Sequence, residues 1–153
     1  MIKEKTCAVT GHRFNLSGLN LDKLKNEFIN LIGAGYENFL IGMAIGFDTV
    51  CFQTLEELKK TYPNIKIIAC VPCVKQYARF NQKQKEEYFR QIKNCDDVKI
   101  LSSEYTPTCM FKRNKYMVDN SSVLIAFLNK KSGGTYNTVK YAVEKGIKII
   151  YVK

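Results

Sequence analysis

Three short segments pair glycine with hydroxyl, basic or acidic residues: Thr10-Gly11-His12-Arg13, Gly42-Met43-Ala44-Ile45-Gly46-Phe47-Asp48 and Ser132-Gly133-Gly134-Thr135. Each follows an apolar run of strand type and stands before a segment with helical periodicity. Glycine lets backbone N–H groups approach an anion with no Cβ in the way, and a helix behind the turn adds the positive end of its dipole. One such turn alone reads equally well as a ligand-free reversal, because glycine after a strand is common. Three on one sheet edge predict a cradle for the phosphate and ribose of a nucleotide or nucleotide-derived molecule.

The residue types assign provisional roles. Ser132 and Thr135 offer hydroxyls and Gly133, Gly134 and Thr135 backbone donors to a phosphate, with Arg13 and Arg113 neutralising its charge. His12, the one histidine, is expected to contact phosphate with Arg13, or merely to close its turn. Asp48 is expected to accept a ribose hydroxyl, or to sit in the first turn of a helix where the dipole favours an acid. Thr10, Gly11, Gly42, Met43, Ala44 and Gly46 complete the expected ligand contacts, and Asn114 and Asp119 either join them or hold the loops.

Catalysis has fewer candidates. With a single histidine and no nucleophile at a fixed spacing from it, Ser/His or Cys/His chemistry has little to build on. Among Asp48, Glu104 and Asp119, the best-placed carboxylate for catalysis, if a bond is broken, is Asp48, directly after the second glycine turn. Cys70-Val71-Pro72-Cys73 has the CxxC spacing but no second ligand pair for zinc, and Cys70 ends a strand rather than starting a helix. No metal and no cofactor are expected.

Positioning these residues requires alternating elements. Apolar runs at Cys7 to Val9, Phe39 to Ile41, Ile65 to Val71, Val98 to Leu101, Val123 to Leu128 and Ile147 to Val152 suit strands, several covered on both faces. Between them, Leu21, Leu24, Phe28, Leu31 and Ile32 form one helical stripe, and Phe47, Val50, Cys51, Leu55 and Leu58 another. Further helices are expected over Gln76 to Asn94, with its polar middle partly in solvent, Cys109 to Asp119, and Tyr136 to Lys145 before the stop at Gly146. This alternation predicts an α/β fold, a Rossmann-like three-layer sandwich with a mainly parallel sheet and right-handed crossovers, in one domain over 1–153. Ligands of such sheets bind beyond the carboxyl ends of the strands, where all three turns fall.

Composition narrows the partners. The 153 residues carry 24 Lys and Arg against 14 Asp and Glu, a net charge of +10 that attracts anions. No apolar run approaches a bilayer span and the amino terminus carries no export signal, so a cytoplasmic location, free thiols at all six cysteines and no membrane partner are expected. Exposed sheet edges leave a homodimer open.

Taken with Arg113-Asn114, Asp119 and Thr138-Val139-Lys140-Tyr141-Ala142, the three turns resemble YpsA-type proteins of the SLOG superfamily, from about residue 6 to residue 152. The resemblance implies a Rossmann-like domain with a nucleotide-type pocket. Two relatives in that superfamily imply further activities. Met110 to Met117 is similar to the segment of the LOG phosphoribohydrolases that supplies an active-site arginine, which falls on Arg113. Those enzymes follow with a PGGxGTxxE motif whose glutamate assists N-glycosidic cleavage, and here Thr138 or Val139 stands at that position. Neither stabilises the oxocarbenium-like charge that such cleavage develops. The second relative is DprA (Smf), resembled at Gly42 to Asp48, Ser103-Glu104, Phe111, Arg113-Asn114 and Ser132-Gly133. It implies single-stranded DNA binding, for which Lys112, Arg113, Lys115, Tyr116, Lys130 and Lys131 offer a basic, partly aromatic surface or simply a solvated face.

Overall fold

Strand residues of this chain alternate between two apolar faces, and the helices divide accordingly. In the computed structural model, which describes all residues Met1–Lys153, β1 (Thr6–Gly11), β2 (Asn38–Ile41), β3 (Lys66–Val71), β4 (Asp97–Ile100), β5 (Val123–Phe127) and β6 (Lys148–Tyr151) form one sheet in the order β4-β3-β2-β1-β5-β6. Every pairing is parallel. Cys7, Val9, Phe39, Ile41, Ile67, Ile125 and Phe127 point to the larger core, under α1 (Leu21–Gly33), α2 (Phe47–Lys59) and α3 (Gln82–Asn94). Ala8, Leu40, Ile68, Cys70, Leu124 and Ala126 point the other way, against Met117 and Val118 of α4 (Cys109–Asp119) and Val139 and Ala142 of α5 (Gly134–Lys145). The result is the expected three-layer, Rossmann-like α/β architecture, with its sheet entirely parallel.

The larger core is built on aromatics. Phe28, Phe39, Phe47, Phe52 and Phe127 are fully buried, each contributing roughly 1.5–3 kcal/mol by leaving water. Phe47 opens α2 and stacks on Phe127 at the end of β5, with centroids 6.0 Å apart, so the helix start is anchored at the carboxyl edge of the sheet.

Three local features depart from the sequence pattern. The segment 76–94 is two elements: a 3-10 turn at Gln76–Arg79, then α3 from Gln82. A capping box divides them, Asn81 Oδ1 accepting from Gln84 N–H while Gln84 Oε1 accepts from Asn81 N–H, both at 2.9 Å. That reciprocal pair satisfies first-turn donors and fixes the helix start, which apolar periodicity does not register. A 3-10 turn at Lys3–Lys5 precedes β1. Helix α5 begins at Gly134, two residues earlier than its apolar stripe suggests, with Gly133 as its N-cap. No helix is long and apolar enough to cross a membrane, and all six cysteines are free.

The first and second glycine turns interlock. Gly46 has φ 80°, and a Cβ there would collide with the backbone of Arg13. Replacement by alanine therefore meets both strain and overlap, whereas Gly146, at φ 72°, faces open space. Gly46→Ala is expected to lower the unfolding free energy by about 2–3 kcal/mol and Gly146→Ala by about 1 kcal/mol, read from urea midpoints at constant m-value. Equal losses would contradict the interlocked packing.

Candidate functional site

Strand order reverses at β1: the chain builds β2, β3 and β4 to one side, then returns over the opposite face through α4 to place β5 on the other. Beyond the carboxyl ends of β1 and β5 lies the crevice such reversals leave. His12 occupies it. Its carbonyl accepts from Phe47 N–H at 3.1 Å and its Nε2 accepts from Asn129 N–H at 2.9 Å, while its ring meets Phe127 edge-on at 5.7 Å. One residue thus ties the first turn to the second and to the loop leading into the third. Burial and the nearby Lys130 hold the imidazole below its ordinary pKa, so it is neutral with the proton on Nδ1. His12 Nε2 is engaged by the protein's own backbone.

The charged centre lies to the β2 and β3 side. Arg113, 5% exposed, comes from α4 and reaches over the sheet edge. Its Nη1 donates to Gly42 O and, at 3.2 Å, to Cys70 O, and its Nε donates to Asn114 Oδ1 at 2.8 Å. Gly42 is required here: a Cβ would stand 2.9 Å from the guanidinium and 3.0 Å from Asp48 Oδ2. Asp48, 7% exposed, accepts from Ala44 N–H through Oδ2 at 3.1 Å. The two charges thus face each other across Gly42 without closing to an ion pair.

Both groups keep one atom free. Arg113 Nη2 and Asp48 Oδ1 have no protein partner. Every fully buried polar side-chain atom in the molecule is partnered, so these two reach solvent at the sheet edge. Burial pushes the Asp48 carboxyl up to about 6, against the pull of Arg113 and the Ala44 N–H. Burial also lowers Arg113 from its ordinary value. A guanidinium with a spare donor beside a carboxyl that titrates near neutrality can bind an anion and a hydroxyl together.

Other expected site residues are spread along the same edge. Thr10 and Gly11 end β1. Met43 is buried with φ 63°, and Ala44 leads to the N-cap Gly46. Arg13 is exposed, its guanidinium 5.7 Å from the centre of the Phe14 ring. Ser132, Gly133 and Gly134 are exposed and Thr135 buried, at a helix start with no side-chain cap. Asp119 accepts from Tyr141 O–H at 2.7 Å, away from the turns on the α4–α5 face. Cys70 lies in the smaller core, while burial and the adjacent Cys109 thiol push Cys73 up.

Sequence patterns did not single out the polar residues beneath the second turn. Gln76 Nε2 donates to Gly42 O at 2.9 Å, and Tyr88 O–H donates to Gln76 Oε1 at 3.2 Å. A cleft of about 320 Å³ opens beside them, walled by Met43 to Gly46, by α2 and by α3. The only signal in the sequence was a glutamine within an otherwise soluble-looking stretch.

These features define a Rossmann-like α/β protein whose polar groups gather at interlocked glycine turns. The chain belongs to the YspA SLOG family, which matches residues 19–149. It is similar to the SPbeta prophage-derived protein YoqJ of Bacillus subtilis, 31% identical over 116 residues, 68% of each chain. A UPF0398 protein of Bacillus licheniformis is 24% identical over 92% of this chain and 86% of its own. The fold is that of DNA processing protein A (DprA) from Streptococcus pneumoniae, with a TM-score of 0.65 and 16% identity over 97% of this chain. It is equally that of DNA processing protein A from Helicobacter pylori, whose structure describes a single-stranded DNA binding mode, with a TM-score of 0.66 and 15% identity. This chain spans 50% and 65% of those two proteins.

The Asp48 environment has a measurable consequence. The carboxyl ionises near 3.8 when free and near 6 in the folded protein, so the folded state holds the proton more tightly. Stability from this group is present at low pH and falls as pH rises between those values. Relative to Asp48→Asn, the wild-type protein is expected to lose about 3 kcal/mol across that window and nothing above it, measured as urea midpoints from pH 4 to pH 7. Parallel profiles would contradict the assignment.

Proposed function

We propose that the protein binds or senses a nucleotide or nucleotide-derived small molecule along the carboxyl edge of its sheet. The observation that carries this reading is the pair of unpartnered atoms, Arg113 Nη2 and Asp48 Oδ1, held at the second glycine turn by buried groups. In this reading the first-turn N–H groups of α5 and the hydroxyls of Ser132 and Thr135 receive phosphate. Arg113 and the exposed Arg13 supply positive charge, and Asp48 accepts a sugar hydroxyl. Asn114 orients Arg113 through its bond to Nε, and His12 holds the turns in register.

Two other readings each have an observation behind them. An N-glycosidase acting on nucleotides is favoured by an Asp48 carboxyl that titrates near neutrality. Against it, the Thr138 hydroxyl donates to Gly134 O at 2.8 Å and Val139 packs in the smaller core, so no carboxylate stands at the position the LOG phosphoribohydrolases use. Single-stranded DNA binding is favoured by the fold shared with DNA processing protein A and by Lys115, whose Nζ lies 5.0 Å from the Phe111 ring and 5.2 Å from the Tyr141 ring. Arg113, however, is turned inward, leaving that surface to Lys112, Lys115, Lys130 and Lys131.

A thermal-shift panel of nucleoside monophosphates, NAD, ADP-ribose and a short oligonucleotide separates the three. The binding reading expects a raised midpoint with a small nucleotide, lost in Arg113→Lys, and no free base by chromatography. Sustained base release abolished by Asp48→Asn would replace it with the glycosidase. Stabilisation by the oligonucleotide alone, falling steeply with salt and weakened by Lys112→Ala and Lys115→Ala, would replace it with DNA binding.

A further inference from the structure

The cleft between α2 and α3 is bordered by a polar network centred on Glu87. Glu87 on α3 accepts from Arg90 Nε at 2.7 Å, Arg90 Nη2 at 2.8 Å, Gln53 Nε2 at 2.9 Å and Gln91 Nε2 at 2.8 Å. Those donors, Arg90 foremost, bring its carboxyl down to about 2, so it is an acceptor only. Arg90 also grips Glu56 of α2 through two bonds, at 2.6 and 2.9 Å, which sets the spacing of the two helices.

An ionised carboxylate fixes which way a neighbouring amide points. Both glutamines must turn their NH2 groups to Glu87, so both carbonyl oxygens face away from it. Gln91 is 2% exposed, yet its Oε1 has no donor in the protein. Since no fully buried polar atom lacks a partner, Gln91 Oε1 keeps some access to solvent, and Gln91 is one of the residues that line the cleft. A nearly buried acceptor without a donor favours a guest that brings an N–H.

The rest of the lining is mixed, with Lys83 and Gln84 beside apolar residues. Leu16, Ile45 and Val50 line the cleft with Phe80, whose ring stands perpendicular to Tyr88 at 5.7 Å. The volume of about 320 Å³ lies at the small end for ligand sites, suited to one planar ring system. The cleft also shares a wall with the charged centre: Ala44 lines it, and the N–H of Ala44 bonds to Asp48. Thr49, next to Asp48, lines it too and donates through Oγ1 to Ala44 O at 3.3 Å.

We propose that this cleft is the base subsite of the nucleotide site and selects a base with an exocyclic amine of the adenine type, its amino group donating to Gln91 Oε1 and its ring lying along Phe80. This rests on the nucleotide reading given above and adds base selectivity to it. A 6-keto base sets a carbonyl oxygen against Gln91 Oε1, where two acceptors repel.

Calorimetric titration of the protein with AMP and IMP tests it, since the two differ only at position 6 and the adjacent N1, where donor and acceptor are exchanged: AMP has an amino group beside an accepting N1, IMP a carbonyl beside N1–H. AMP is expected to bind at least about tenfold more tightly than IMP. In Gln91→Met the two affinities converge, and in Arg113→Lys both weaken with their ratio kept. The wild-type comparison needs no variant, so a misfolded Gln91→Met leaves the test intact. Equal affinities for AMP and IMP, or an AMP preference unchanged in folded Gln91→Met, would overturn the base subsite while leaving nucleotide binding standing. Binding of neither nucleotide would overturn the base subsite, and a thermal-shift panel in which NAD and ADP-ribose are also silent would overturn the nucleotide reading with it.

Discussion

A guanidinium removed from water must find acceptors or leave the interior, and Arg113 finds them at the ends of two strands. Its bonds to Gly42 O and Cys70 O clip α4, which packs on one face of the sheet, over the edge formed by β2 and β3. Asp48 reaches the same point from the other face through α2. Leaving that guanidinium buried without its two carbonyls would cost the full desolvation penalty of an unpaired charge, so the arrangement is fixed by the same energetics that hold the layers together. What is left over after those bonds are made is one donor and one acceptor at the surface, Arg113 Nη2 and Asp48 Oδ1.

Around that centre the turns are fitted to one another rather than set independently. His12 links the first turn to the second and to the loop that leads into the third, through its carbonyl and its ring nitrogen, and Gly46 admits the backbone of Arg13 where a side chain would block it. A polar edge built this way is preorganised: a guest pays little to order it, which favours binding by backbone amides and a fixed arginine. Beside the α2–α3 cleft, Arg90 of α3 bonds both Glu87 of its own helix and Glu56 of α2.

The layers, the parallel sheet and the edge that carries the turns were legible in the sequence because unbroken apolar strand runs and 3.6-residue stripes report burial directly. Gly42, Asp48 and Arg113, expected among the site residues, come together at one point of that edge. What escaped was partnership. His12 has the chemistry of a phosphate donor, but a distant amide at Asn129 occupies its Nε2, and nothing local in 10–13 encodes that bond. Arg13 and Arg113 look alike in sequence, yet Arg13 lies out over Phe14 while Arg113 is buried. Gln76 and Gln91 fall near the two ends of a segment expected as one helix with a polar middle; the capping box at Asn81 breaks that helix and tertiary packing turns both glutamines inward. Periodicity reports how much of a helix is covered, and the identity of what covers it is set by residues tens of positions away.

The central claim is that Arg113, Asp48 and the glycine turns form one binding edge. An amide and guanidinium NMR titration with ADP-ribose, using 15N-labelled protein, tests it most directly. The account predicts that the Ala44 amide, the Arg113 Nε–H and the amides of Gly133 to Thr135 shift together along a single binding curve. Shifts confined to other surfaces, or a saturating ligand that leaves Arg113 Nε–H and Ala44 unmoved, would contradict it.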